Sequence, residues 1–96
     1  MSGVHPIEKI MSLTREDFLA SLRHAGPADD LGGDVHAVAL NTGRAIIRFQ
    51  KLPGARLGGL LDLPRAKVTI AFEDVAESDR TAFLKRFDMA FQRGGG

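Results

Sequence analysis

The segment from Glu77 to Gln92 constrains the fold most, because it has the most regular apolar pattern in the chain. Its large apolar side chains recur at i, i+1, i+4 and i+8, which places them on one face of a helix. They are Phe83, Leu84, Phe87 and Phe91. Glu77 and Asp79 favour the N-terminal end of this helix through the helix dipole. A helix with so apolar a face has to pack on another layer of secondary structure.

A second helix is predicted near the N-terminus, beginning after Thr14. Thr14 is placed as its N-cap, and Asp17 lies three residues later in the capping-box position. Gly26 followed by Pro27 is typical of a helix C-terminus, since glycine adopts the left-handed cap and proline cannot continue the helix. The apolar stripe of this helix consists of Phe18, Leu19 and Leu22.

Three segments between the helices have the alternating pattern of strands, namely 34–40, 44–50 and 66–72. Asn41, Thr42 and Gly43 form a short turn between the first two strands and predict an antiparallel hairpin. Residues 27–33 are predicted to be a loop. Residues 51–65 form a leucine-rich connection, in which Leu57, Leu60 and Leu61 have the spacing of one helical turn.

These elements predict an α+β fold, a two-layer sandwich of order α-β-β-β-α. Its three-stranded antiparallel sheet carries both helices on one face, because this arrangement buries the phenylalanine and leucine stripes together. We expect an N-terminal tail at 1–11, a single domain at 12–93 and a flexible glycine tail at 94–96.

Composition and motifs argue against several classes of protein. The chain has 96 residues, a formal net charge of +1 and no cysteine. It therefore lacks thiol catalysis and cysteine-based zinc sites, and the near-neutral charge is unlike that of most nucleic-acid binders. No apolar run is long enough to span a bilayer, so we expect a cytoplasmic protein without a membrane association. We predict no catalytic residue, no metal site and no cofactor, since His5, His24 and His36 follow no ligand spacing and no serine lies in a nucleophile motif.

The uncovered face of the predicted sheet gives the main functional expectation. A mixed apolar surface of that kind is seldom left open in a monomer, and a small domain without disulfides gains stability from a partner. We therefore expect a non-enzymatic protein-binding or accessory module, a homodimer or a complex with another protein. The predicted partner-binding residues lie on this face or in the leucine-rich connection, and they are His36, Val38, Leu40, Ile46, Arg48, Leu57, Leu60 and Leu61.

Two alternatives remain open. A basic patch on the sheet rim would suit a nucleic acid, and it would consist of Arg44, Arg48, Lys51, Arg56, Arg65 and Lys67. The end of the chain, Arg93 followed by Gly94, Gly95 and Gly96, resembles the Gly-Gly tail of ubiquitin-like carriers and modifiers. That resemblance implies a carrier with an activated C-terminal carboxylate, although those proteins lead into the tail from a strand and this chain does so from a helix.

Overall fold

The computed structural model describes residues 6–57 and 61–95, with side chains described for 6–54 and 63–92. The elements in chain order are β1 (Ile7–Met11), α1 (Arg15–Ala25), β2 (Ala28–Gly32), β3 (Val35–Ala39), β4 (Arg44–Leu57), β5 (Leu61–Glu73) and α2 (Glu77–Gly95). The strands form one antiparallel sheet in the order β1-β5-β4-β3-β2. The α+β class is compatible with this architecture. The predicted three-stranded sheet in the order α-β-β-β-α is wrong, because the sheet has five strands.

The first additional strand is β1, which lies within the predicted N-terminal tail at 1–11. It pairs with β5 from Ile7 opposite Ile70 to Met11 opposite Ala66, and it forms one edge of the sheet. Its pattern was hard to recognise because Lys9 occupies a position that faces the helices. The Lys9 ammonium reaches the carboxylate of Asp88 on α2 at 3.2 Å, so a charged residue is accommodated there. The other part of the predicted tail, residues 1–5, lies outside the described residues.

The second additional strand is β2, within the segment 27–33 that was predicted to be a loop. All five of its residues are exposed, so no apolar alternation marks it in the sequence. It pairs with β3 through a two-residue turn at Gly33 and Asp34, which both have a φ of 62°. Positive φ at both central residues is the type I′ geometry that suits the twist of a hairpin. The Nε of Arg15 donates to the Asp34 carboxylate at 2.6 Å and ties this turn to the start of α1.

The leucine-rich connection continues the sheet where a helical turn was expected. β4 runs to Leu57, β5 begins at Leu61, and these two leucines are opposite each other in the register. A register shift between Leu52 and Ala55 accommodates Pro53, which has no N–H for the ladder. The third leucine of the predicted turn, Leu60, lies outside the described residues.

Both helices pack on the same face of the sheet and contact each other. The core joins Phe18 and Leu22 of α1 to the phenylalanines of α2 and to the inward side chains of the two central strands. The most deeply buried of these are Phe18, Phe83, Phe87, Leu22, Ile47, Ile70 and Val68. The predicted N-cap of α1 is confirmed, because the Thr14 hydroxyl accepts a hydrogen bond from the Asp17 N–H at 3.1 Å. At the other end the Gly26 N–H donates to Leu22 O, but Gly26 has a φ of 150° and a ψ of 169° and not the predicted left-handed helical conformation.

The start of α2 is held by the turn between β3 and β4. The Thr42 hydroxyl accepts a hydrogen bond from the Ala76 N–H at 2.8 Å and donates to the Asp79 carboxylate at 2.8 Å. Beside it, a Cβ atom at Gly43 would collide with the backbone carbonyls of Glu73 and Asp74. The turn therefore packs closely on the segment that connects β5 to α2, and this fixes where α2 crosses the sheet.

Candidate functional site

The candidate site is the sheet face opposite the helices, called here the open face. No helix in the described chain covers it, since both pack on the other side. The alternation of each strand decides which side chains it displays. On the two central strands these are Arg44, Ile46, Arg48 and Gln50 of β4 and Arg65, Lys67, Thr69, Ala71 and Glu73 of β5.

The register places these side chains in rows that run across the sheet. One row joins Val35, Arg48, Thr69 and Glu8 across four strands. The neighbouring row joins Ala37, Ile46 and Ala71. A groove of about 370 Å³ crosses these rows, lined by Pro6, Glu8, Ile46, Arg48, Gln50, Lys67, Thr69 and Ala71.

The open face carries several basic side chains on β4 and β5, and two of them are paired with carboxylates. Arg44 is paired with Glu73 at the end of β5 at 2.6 Å, and Lys67 lies 3.9 Å from Glu8 on the edge strand β1. Within the described part of the chain, Arg48 on the central strand β4 has no such ion pair. Arg48 is therefore the cation best placed to meet an incoming acidic group.

The predicted partner-binding residues fall into different parts of the structure. Ile46 and Arg48 lie on the open face. His36 and Val38 instead lie under the helices, 5% and 1% exposed, and Leu40 packs against the same core. The alternation of β3 did not decide its orientation, because both of its faces are largely apolar. Leu57 and Leu61 belong to the hairpin extension of β4 and β5.

The predicted basic patch is only partly brought together. Arg44, Arg48, Arg65 and Lys67 share the open face. Lys51 is opposite Ala66, whose side chain is buried in the core, so its position belongs to the helix side of the sheet. Arg56 is opposite Asp62 in the register, and its side chain lies outside the described ones. All six phenylalanines lie in or against the core, so the described open face has no aromatic ring.

The histidines are dispersed. His24 is exposed in the last turn of α1, His36 is buried and His5 lies outside the described residues. Among the described residues, no three histidine or carboxylate side chains come together in a way that could hold a metal ion. His36 lies against Phe18, with ring centroids 5.7 Å apart, and its Nε2 is buried without a hydrogen-bond partner. A crevice of about 280 Å³ lies beside it, but this nitrogen is sealed from solvent and is not available to a ligand there.

Several residues that line the groove were not among the predicted binding residues. Lys67 was already part of the predicted basic patch, and Thr69 and Ala71 could have been found, since the alternation of 66–72 places them on the outer side of the strand. Glu8 could not, because it joins the face only through the pairing of β1 with β5.

Comparison with known proteins adds no family to this description. The sequence matches no protein-family model, and no curated protein matches it significantly. Within the described residues, no helix has both the length and the apolar character needed to cross a bilayer.

Proposed function

We propose that this chain is a small non-enzymatic binding module that holds an acidic protein surface on its open face. The observation that supports the proposal is Arg48, which stands on the central strand beside Ile46 without an ion pair among the described residues. Arginine at the centre of an interface is a common source of binding energy, because its guanidinium pairs with carboxylates and its stem packs on apolar neighbours. Cytoplasmic location is part of the proposal, since a chain without cysteine needs no oxidising compartment.

The charge arrangement favours a different protein over face-to-face pairing of two copies. In such a pair, the basic centre of one open face would meet the basic centre of the other, and like charges in an interface are costly. A partner with carboxylates in the middle of its contact surface would instead match Arg48 and Lys67. The peripheral Glu8 and Glu73 would then repel a partner that is acidic over too wide an area.

A nucleic acid is the competing occupant of the same surface. Its phosphates would pair with the same arginines, but single strands are also held by stacking of bases on aromatic side chains. The phenylalanines of this chain are committed to the core. Acidic protein is therefore the better match to the chemistry of the open face.

The proposal is tested by charge reversal at the centre of the face with a matched reversal elsewhere. Arg48→Glu removes the central cation, and Lys85→Glu makes the same change in charge at an exposed position on α2. Each variant and the unmodified chain would be used to capture proteins from the source cell after nuclease treatment. Any captured protein would then be purified and its affinity measured by calorimetry at two salt concentrations.

We expect at least a tenfold loss of affinity for Arg48→Glu, no more than a twofold change for Lys85→Glu, and weaker binding at high salt. Circular dichroism would check that both variants remain folded. The proposal fails if the two variants bind the captured partner equally, or if binding disappears with nuclease treatment.

A further inference from the structure

The two edges of the sheet are protected to different degrees against pairing with a strand of another chain. The β2 edge has five exposed residues that include Asp29 and Asp30, and a register irregularity follows Asp30. Charge and irregular geometry are the usual means by which proteins keep an edge strand from pairing with another chain. β1 pairs without interruption over its whole length with β5, so its opposite edge presents a regular row of backbone groups. No described strand pairs with that edge.

The side chains around the β1 edge also suit an added strand. Ile10 is 54% exposed on the open face, although it is a large apolar residue. On the helix side, a groove of about 400 Å³ lies beside β1, and its apolar lining comes from Met11, Leu13 and Phe91. The Lys9 ammonium is turned towards Asp88 of α2 at 3.2 Å. An added strand would thus find apolar contacts on both faces of the sheet.

Charge excludes some of the ways in which a second copy could supply this strand. Successive residues of a strand point to opposite faces of the sheet, and two residues directly opposite each other in an antiparallel pair point to the same face. A two-fold axis perpendicular to the sheet therefore places one residue of β1 directly opposite the same residue of the second copy. An axis at Glu8 or at Lys9 would set like charges directly opposite each other, which is destabilising. An axis at Ile10 places isoleucine opposite isoleucine and Lys9 opposite Met11 of the second copy.

We propose that two copies of this chain form a dimer by antiparallel pairing of β1 with β1, with the two-fold axis at Ile10. The dimer joins two five-stranded sheets into one sheet of ten strands. It does not depend on the proposed function, and it leaves both open faces uncovered and adjacent. A partner with two acidic sites would then be held by two copies of Arg48.

The oligomeric state tests this dimer with matched variants at the two edges. Sedimentation equilibrium of the unmodified chain should give twice the chain mass of 10.4 kDa. Ile10→Lys places two ammonium groups opposite each other and should give a monomer at the same concentration. Leu31→Lys is the control, because Leu31 is 51% exposed on the opposite edge strand β2, and this variant should remain dimeric.

A mixture tests the position of the axis. Ile10→Lys and Ile10→Glu should each be monomeric alone and should form a dimer when mixed, since opposite charges then face each other across the axis. Circular dichroism melts would confirm that both variants fold. Arg48→Glu should stay dimeric, which separates a failure of this dimer from a failure of the proposed open-face function.

A cysteine introduced into the cysteine-free chain gives a direct distance measurement. Residues directly opposite in antiparallel strands have Cα atoms about 4.5–5.5 Å apart, which is within the range for a disulfide. Ile10→Cys should therefore form a covalent dimer under mild oxidation, whereas Leu31→Cys should not. The proposal is overturned by a monomeric unmodified chain at 0.1 mM or above, by an Ile10→Lys variant that stays dimeric, or by equal crosslinking of the two cysteine variants.

Discussion

Replacement of His36 by leucine removes a polar ring from beneath α1 and tests whether this residue belongs to the core. His36 is 5% exposed and packs against Phe18, and its Nε2 has no hydrogen-bond partner. A buried polar group without a partner costs about 1–3 kcal/mol of folding free energy, because it loses its bonds to water. A leucine of different shape costs up to about 1.5 kcal/mol through imperfect packing. The net expectation is a gain of about 1 kcal/mol.

Thermal and urea unfolding would measure this gain. For a domain of this length, a gain of about 1 kcal/mol raises the Tm by roughly 4–8 °C. The matched control is His24→Leu, the same substitution at an exposed site in the last turn of α1. It should change stability by no more than about 0.5 kcal/mol, as most surface substitutions do.

A loss of stability in His36→Leu of 1 kcal/mol or more would refute this reasoning. It would mean that Nε2 makes a hydrogen bond in solution, for example to a buried water molecule. Binding provides a second readout. Because His36 lies under the helices, the variant should bind any open-face partner with unchanged affinity. A tenfold loss of affinity would indicate that His36 takes part in partner binding.

Three further substitutions test how the layers are joined, each by urea unfolding. Thr42→Val removes the hydroxyl that accepts a hydrogen bond from the Ala76 N–H and should lower the free energy of unfolding by about 1 kcal/mol. Thr42→Ser keeps the hydroxyl and should retain most of that stability. Gly43→Ala places a methyl group against the carbonyl of Glu73 and should cost about 1–3 kcal/mol; unchanged stability would show that the turn is more open. Phe18→Ala leaves a cavity at a fully buried site and should lower the free energy of unfolding by about 3–5 kcal/mol. This is a large part of the roughly 5–15 kcal/mol by which small domains are stable, and a loss under 1 kcal/mol would contradict the position of Phe18 in the core.

The helices could be predicted because their evidence is local. The cap at Thr14 and the stop at Gly26 concern backbone groups within one turn of the chain, and the structure has α1 between these residues. The stripe of α2 repeats with the helical period from Phe83 to Phe91, and α2 begins at Glu77 as expected. The backbone N–H and C=O groups of a helix form their hydrogen bonds within the segment. The sequence of the segment therefore contains most of the information that determines where the helix forms.

The two edge strands could not be predicted in the same way. β2 has five exposed residues and β1 has a lysine on its inner side, so neither has an alternating apolar pattern. Their backbone groups are satisfied only by strands that are distant in the sequence, as when Ile7 pairs with Ile70. The orientation of β3 was undecided for a related reason, since Val38 and Ala37 are both apolar and lie on opposite faces.

The sequence by itself determined where the helices lie, which side chains they bury, and that the helices and strands would form separate layers. Periodicity and capping are properties of neighbouring residues, and they act before any distant contact forms. Only the tertiary structure decided that the sheet has five strands, that His36 lies under the helices and that Arg48 occupies the centre of the open face. These features depend on strand pairing and on which face the helices cover, and both are settled by contacts between residues far apart in the chain.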